Sequence, residues 1–335
     1  MKKTLAMVCT SLSMGCSSPA TSLTAENTNT VDLSILNGYK ASYKNFQSVG
    51  ALVYDKGFSG VCTASMLRKD LAVTAAHCLT GDHKGEERRL LYGCDELFAK
   101  ESENCLYPIV ADAVHPSFDD KLETENRHDY ALLLLDRYTD ATPIDILPKS
   151  AYEETIKVGN IVTIAGYGAY IRDSVGAINA YGILYAADAP ITGFHNEAEI
   201  IVGEKDSAKG NACRGDSGGP IYVYSHGKVQ LTGVASRIPE KVDGSYQCGY
   251  GIIYGLPGLE QEWIDSTYAS LREKYPIKDQ GNSMNAQKDV SSEKDIATGG
   301  FSCGISNNYN NQNAKNLISI LLLAGFALRR KSKQV

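Results

Sequence analysis

Short apolar runs separated by Gly, Asp, Asn and Pro dominate the middle of this chain. Residues 49–54, 71–75, 130–135, 161–165, 220–224 and 229–235 have the length and the residue types of β-strands, and turn-forming residues bound them. Many short strands of this kind predict an all-β sandwich or barrel. One stretch departs from the pattern. Across residues 258–275, Leu259, Trp263, Ile264, Tyr268 and Leu271 recur at helical spacing and Pro276 follows, which predicts one helix closing the β domain. No internal repeat is visible.

The two ends are patterned differently. Met1-Lys2-Lys3, an apolar run over 5–14 and the small residues after it read as a secretory signal peptide over 1–16, which implies export across the inner membrane to the periplasm, the cell surface or the medium. Gly15-Cys16-Ser17 resembles the lipidation site of bacterial lipoproteins, although Ser13 stands where that signal usually has leucine; the alternative is an ordinary cleaved signal. Residues 276–306 are polar and rich in Gly, Ser, Asn and Lys, as a linker is. Within 307–335 an apolar run over 317–328 precedes Arg329-Arg330-Lys331-Ser332-Lys333. That run is short of the roughly 20 residues of a full membrane span. With the small-residue stretch 298–304 before it, this tail resembles the C-terminal sorting tails of some proteobacterial surface proteins. The resemblance implies a sorting enzyme as partner and membrane attachment; a plain terminal helix is the alternative.

Charge narrows the partners. The 335 residues hold 33 basic and 39 acidic side chains, a formal net charge of -6, with no basic block suited to a phosphate backbone, so nucleic acid is not expected as a partner. Export changes how the nine cysteines read. Setting aside Cys9, Cys16 and Cys303 in the terminal segments leaves Cys62, Cys78, Cys94, Cys105, Cys213 and Cys248, an even set in an oxidising compartment. Six cysteines allow 15 pairings. Joining neighbours, 62 with 78, 94 with 105 and 213 with 248, is the economical choice.

Three segments carry parts of one chemistry. A serine hydroxyl needs a base within hydrogen-bond reach and an acid to orient that base before it acts as a nucleophile. "VTAAHC" places His77 just after a strand, "RHDYALLLL" places Asp129 at the mouth of another, and "GDSGGP" presents Ser217 among glycines. Gly215 has no side chain, so its N–H and that of Ser217 can face one point, where a developing oxyanion would be stabilised. Gly218 and Gly219 leave room for a substrate backbone.

Together with "VHPSF" at 114–118 and "IAGYG" at 164–168, these motifs come in the order His, Asp, Ser, and residues 35–275 resemble the trypsin-like, or chymotrypsin-fold, serine proteases. The resemblance implies two six-stranded antiparallel β-barrels with a C-terminal helix, and a serine endopeptidase acting on proteins or peptides without a cofactor. It implies Ser217 as nucleophile, His77 as general base and then acid, Asp129 as orienting carboxylate, and Gly215 and Ser217 as oxyanion donors. It supports the disulfides Cys62–Cys78 and Cys213–Cys248, whereas Cys94–Cys105 rests on the even count alone.

The same resemblance implies a zymogen. Cleavage before "ILNG" would free an ammonium on Ile35 to pair with Asp216, making 17–34 an activation peptide. Ser34 precedes that bond instead of Arg or Lys, so a different protease is the expected activator. A lipid on Cys16 would then leave with the activation peptide. The specificity pocket is expected from Asn211, Ala212, Ser236, Ile238 and Gly251. Asn211 stands where the trypsin branch has aspartate, so a small or medium neutral residue is expected before the scissile bond, with a large apolar or a basic one as alternatives. His115 and His128 lack metal-ligand spacing and read as structural or solvated, His83, His195 and His226 as surface residues, and the loop 81–103 lacks a calcium pattern, so no metal is expected. The rival function is a protease-like binding protein that keeps the fold without turnover.

Overall fold

The computed structural model describes residues 35, 38–54, 61–80, 84–85, 87–168, 181–204, 210–239, 241–242, 245–246 and 248–277. All of them fall in the unit Met1–Asp279; the unit Gln280–Val335, like the signal peptide, Cys16 and the activation peptide, lies outside the described residues.

In chain order the strands are β1 (Tyr39–Lys40), β2 (Val49–Tyr54), β3 (Val61–Arg68), β4 (Leu71–Thr74), β5 (Arg88–Leu91), β6 (Leu106–Val114), β7 (Ala131–Leu135), β8 (Ile161–Gly166), β9 (Tyr185–Asn196), β10 (Glu199–Val202), β11 (Pro220–Ser225), β12 (Lys228–Arg237), β13 (Lys241–Val242), β14 (Ser245–Tyr246) and β15 (Ile252–Gly255). The α-helices are the single turn α1 (Tyr152–Thr155) and α2 (Gln261–Lys274). Strands β2-β3-β4-β7-β6-β5 close one antiparallel barrel. Strands β9-β10-β15-β12-β11-β8 close a second through the β8–β9 pairing, and β1 adds to β9. The fold is therefore two six-stranded antiparallel barrels and a C-terminal helix, the chymotrypsin fold.

Side chains alternate across a strand, and here both faces are buried. Val49, Ala51 and Val53 of β2, Leu71 and Val73 of β4, and Leu132 and Leu134 of β7 pack outward into a cluster shared with Ala165, Tyr222, Leu231 and Val234 of the second barrel. Leu52, Ala72 and Leu133, their alternate neighbours, fill the first barrel. That is why these strands read as unbroken apolar runs. The second barrel has its own core, in which Ile35 is buried with Ile164, Ile200, Ile221 and Ile252. The Ser48 hydroxyl and the Tyr222 phenol meet at 2.7 Å across the barrel junction.

Helix α2 packs on the first barrel through Ile264, Tyr268 and Leu271. The buried carboxylate of Asp70 accepts from Tyr268 Oη and, at 2.6 Å, from Arg272. No helix among the described residues is long and apolar enough to cross a membrane.

Candidate active site

His77 sits on a single 3-10 turn, Ala76–Leu79, at the end of β4. Cys78 in that turn is joined to Cys62 of β3, and the Tyr54 hydroxyl donates to Cys78 O at 2.8 Å, so the turn is tied to the barrel covalently and by a hydrogen bond. Asp129 lies just before β7 and is buried. Its Oδ1 accepts from the His77 backbone N–H at 2.9 Å, and its Oδ2 lies 2.8 Å from His77 Nδ1. A third donor, the Ser236 hydroxyl, reaches Oδ2 at 2.6 Å.

Burial pushes the Asp129 carboxyl up, but the His77 charge and the hydrogen bonds from His77 and Ser236 outweigh it and hold the group below its ordinary range. For His77, burial pulls the imidazole down; the Asp129 carboxylate overcomes this and raises it, while Arg127 opposes the rise. An ionised Asp129 fixes the proton of neutral His77 on Nδ1 and leaves Nε2 free to accept one. The His77 side chain keeps 35% of its surface exposed against 4% for Asp129, so the ring can meet a substrate while its partner cannot.

The segment of Ser217 is held near the His77 turn by its backbone, with Cys78 Sγ 3.9 Å from Ser217 O. The same carbonyl accepts from Thr63 N–H at 2.8 Å, Gly218 N–H donates to Ala235 O, and Cys213 is joined to Cys248. Gly218 has φ +79°, and a Cβ there would stand 2.1 Å from Thr74 Oγ1 and 2.3 Å from Thr63 O. Only glycine fits, and the fit presses the Ser217 turn onto the strand end that leads to His77. Gly215, at φ +90°, is equally confined by Gly168 and Val61. Among the described residues no hydrogen bond joins the Ser217 hydroxyl to the His77 ring. Such bonds often tighten only when substrate arrives.

Thr63 was not singled out in the sequence, yet it connects everything here. Fully buried, it donates its N–H to Ser217 O and its hydroxyl to Gly215 O at 3.0 Å, accepts from Tyr167 N–H on the same hydroxyl at 3.1 Å, and accepts from the Thr74 hydroxyl on its carbonyl at 2.8 Å. Its only sequence signal is a polar residue inside a strand that must be buried on both faces.

Asp216 turns inward. Its carboxyl accepts from Gly168 N–H at 2.9 Å and Cys213 N–H at 2.8 Å, and among the described residues no cation faces it. Burial pushes it up to about 7 against the pull of those two donors. No hydrogen bond or ion pair links Ile35 to Asp216; in this intact chain Ile35 carries a peptide nitrogen, not an ammonium.

The expected pocket residues are dispersed in role. Asn211 is buried, and its amide is used up: Nδ2 donates to Glu204 O at 2.8 Å and Oδ1 accepts from Gly251 N–H at 3.0 Å. Ala212 belongs to the core of the second barrel and Ile238 packs against it. Ser236, expected on a pocket wall, gives its hydroxyl to Asp129 instead. Cys94 is joined to Cys105 in the β5–β6 connection, away from these groups.

His115 and His128 take the structural one of the two roles their sequence reading allowed, His226 is exposed as read, and His195 departs from its reading. His115 is buried, stacked 4.8 Å from His128 at 8° between planes, and both reach Glu260, at 3.2 and 2.9 Å. Their ligand atoms and that of Glu260 lie within 4.8 Å of one another, and each imidazole sets one nitrogen against a Glu260 carboxylate oxygen. His195, expected on the surface, is mostly covered and lies 2.7 Å from Glu123 O. His226 is exposed and His83 lies outside the described residues.

Comparison with known proteins agrees with this architecture. Duodenase-1 of Bos taurus is 27% identical over 198 residues, spanning 56% of this chain and 74% of its own. Granzyme F of Mus musculus is 26% identical over 194 residues, spanning 54% and 72%, and mouse chymase 24% over 202 residues, spanning 56% and 78%. The sequence model of the trypsin family matches residues 35–254, and the chain belongs to that family of serine proteases.

Proposed function

We propose that this protein is an exported serine endopeptidase. The observation that carries the reading is the His77–Asp129 pair, hydrogen-bonded at ring and backbone, with the Ser217 turn pinned beside it through Thr63 and Gly218. In the first step Ser217 Oγ attacks the peptide carbonyl carbon as its proton passes to His77 Nε2. The oxyanion that forms is met by the N–H groups of Gly215 and Ser217. The C–N bond then breaks, the His77 proton goes to the leaving amine, and an acyl ester remains on Ser217. Water, deprotonated by His77, attacks that ester and restores the hydroxyl. Asp129 stays ionised and orients the imidazole.

The intact chain is the zymogen in this reading. An unpaired, buried Asp216 needs a cation, and cleavage before Ile35 supplies one. An Asn211 amide spent on backbone offers no charge to a basic side chain, which supports a neutral residue before the scissile bond. The three disulfides support an oxidising compartment, reached through a signal peptide over 1–16, with the tail 307–335 as sorting or membrane segment.

Labelling by a serine-directed fluorophosphonate, before and after cleavage at Ile35, tests this. Labelling of the cleaved protein that is lost in Ser217→Ala is expected. A cleaved protein that stays unlabelled would favour the non-catalytic binding protein.

A further inference from the structure

The outer side of the His77–Asp129 pair is closed by a buried ion pair. Strand β12 has a bulge: Ala235 pairs with Tyr254 and Arg237 with Ile253, leaving Ser236 as the extra residue. The bulge sends the Ser236 hydroxyl to Asp129 and the Arg237 guanidinium to Glu199 of β10. Both guanidinium nitrogens meet the Glu199 carboxylate at 2.8 Å, a two-pronged contact in which the side chains expose only 10% and 1% of their surface.

Glu199 also accepts from Asn196 Nδ2 at 2.8 Å and from the backbone N–H of Arg127, two residues before Asp129, at 3.3 Å. Arg237 returns to the site through Ser236 Oγ, at 3.4 Å. This pair therefore grips Asp129 from two directions, through the chain that carries it and through the hydroxyl that donates to it. A carboxylate that reaches from the second barrel to the Asp129 segment of the first also holds the two halves of the site together.

We propose that Glu199 and Arg237 are positioning residues for the His77–Asp129 pair, which fix the Asp129 carboxylate and cancel each other's charge beside it. The proposal rests on the reading of His77, Asp129 and Ser217 as the reacting groups. Among the described residues, the other charged or titratable groups beside the pair include Arg127, which contacts Glu123, His195, 4.0 Å from Glu199, and Tyr130, whose phenol is held up by burial and in part by the Glu199 charge. None of them is removed in the test.

The test follows the rate of fluorophosphonate labelling of the cleaved protein against pH, in wild type, E199Q, R237M and the double variant, with Ser217→Ala as blank. The acid limb of that profile reports protonation of His77. E199Q leaves the Arg237 cation uncompensated, so imidazolium is disfavoured and the limb should move to lower pH by several tenths of a unit. R237M leaves an anion and should move it the other way, and the double variant should return close to wild type. If labelling falls equally at every pH with the limb unmoved, the pair is only structural and the proposal fails. Should E199Q not fold, R237K, which keeps the charge, should leave the limb in place while R237M moves it to higher pH; a limb that moves in neither variant overturns the proposal. An unlabelled wild type overturns the reading of Ser217, and this proposal with it.

Discussion

The hydroxyl of Ser236 lies 2.6 Å from Oδ2 of Asp129, on the same oxygen that faces His77 Nδ1. Two donors on one oxygen leave the carboxylate little freedom to rotate. Removing one in Ser236→Ala deletes a hydrogen bond to a charge, worth about 1.5–3 kcal/mol. The expected result is a fall of roughly ten- to hundredfold in the fluorophosphonate labelling rate of the cleaved protein, together with a melting temperature lowered by several degrees.

Asp216 sets the pH dependence of the intact chain. Its folded value, about 7, lies above the ordinary carboxylate value of 3.8, so the folded state keeps a proton that the unfolded chain has released. Stability then falls as pH rises between about 4 and about 7, by a total on the order of 4 kcal/mol. Urea unfolding at pH 4.5 and pH 8 checks this, and Asp216→Asn should reduce the difference, the raised His77 contributing a fall of the same sign. In protein cleaved before Ile35 the new ammonium should reverse the sign of the trend in the acid range. A cleaved form with the same slope as the intact one would sink the Ile35–Asp216 pairing.

Thr63 tests how the nucleophile turn is held. Thr63→Val keeps the shape but leaves Gly215 O and Tyr167 N–H buried without their partner, at about 1–3 kcal/mol each. A loss of about 2–6 kcal/mol in chemical unfolding and slower labelling of Ser217 are expected. Thr63→Ser retains the hydroxyl and should recover most of both.

Asn211 separates pocket chemistry from loop support. Asn211→Asp puts a carboxylate oxygen where Nδ2 now donates to Glu204 O, so an acceptor would face an acceptor in a buried place. A lower melting temperature is expected, with no gain in cleavage after Lys or Arg on a peptide panel. Efficient cleavage after basic residues would show that the side chain turns into the pocket instead.

Most of the site was legible because its chemistry is local in sequence. His77, Asp129 and Ser217, the proposed reacting groups, each sit in a short motif, and the structure brings His77 against Asp129. The strands read best where both faces are buried, as in β2 and β7, since burial on two sides produces an unbroken apolar run. Strand β3 was missed because Thr63 and Ser65 interrupt its apolar pattern, though both are buried. Strand β10 is four residues long and opens with Glu199, a charge that makes no sense in a core until its partner is seen. The helix expected over 258–275 is α2 at Gln261–Lys274, preceded by the 3-10 turn Pro257–Leu259. Pro257 ends β15's extension and starts that turn.

By itself, then, the sequence determined the family and the two-barrel fold and named the candidate reacting groups, because each is encoded by contiguous residue types: apolar runs, glycines at positive φ, a histidine beside a cysteine. What only the tertiary structure decided is where the polar atoms between those motifs point. Ser236 turned to Asp129, Asn211 to the backbone of its own loops, Thr63 to the nucleophile turn and Arg237 to Glu199. Each of these is a covered polar group that must find a partner wherever one is within about 3 Å, and, apart from Glu204 seven residues from Asn211, that partner lies far away in the chain. Distance along the chain carries no information about such pairs; closure of the two barrels against each other creates them.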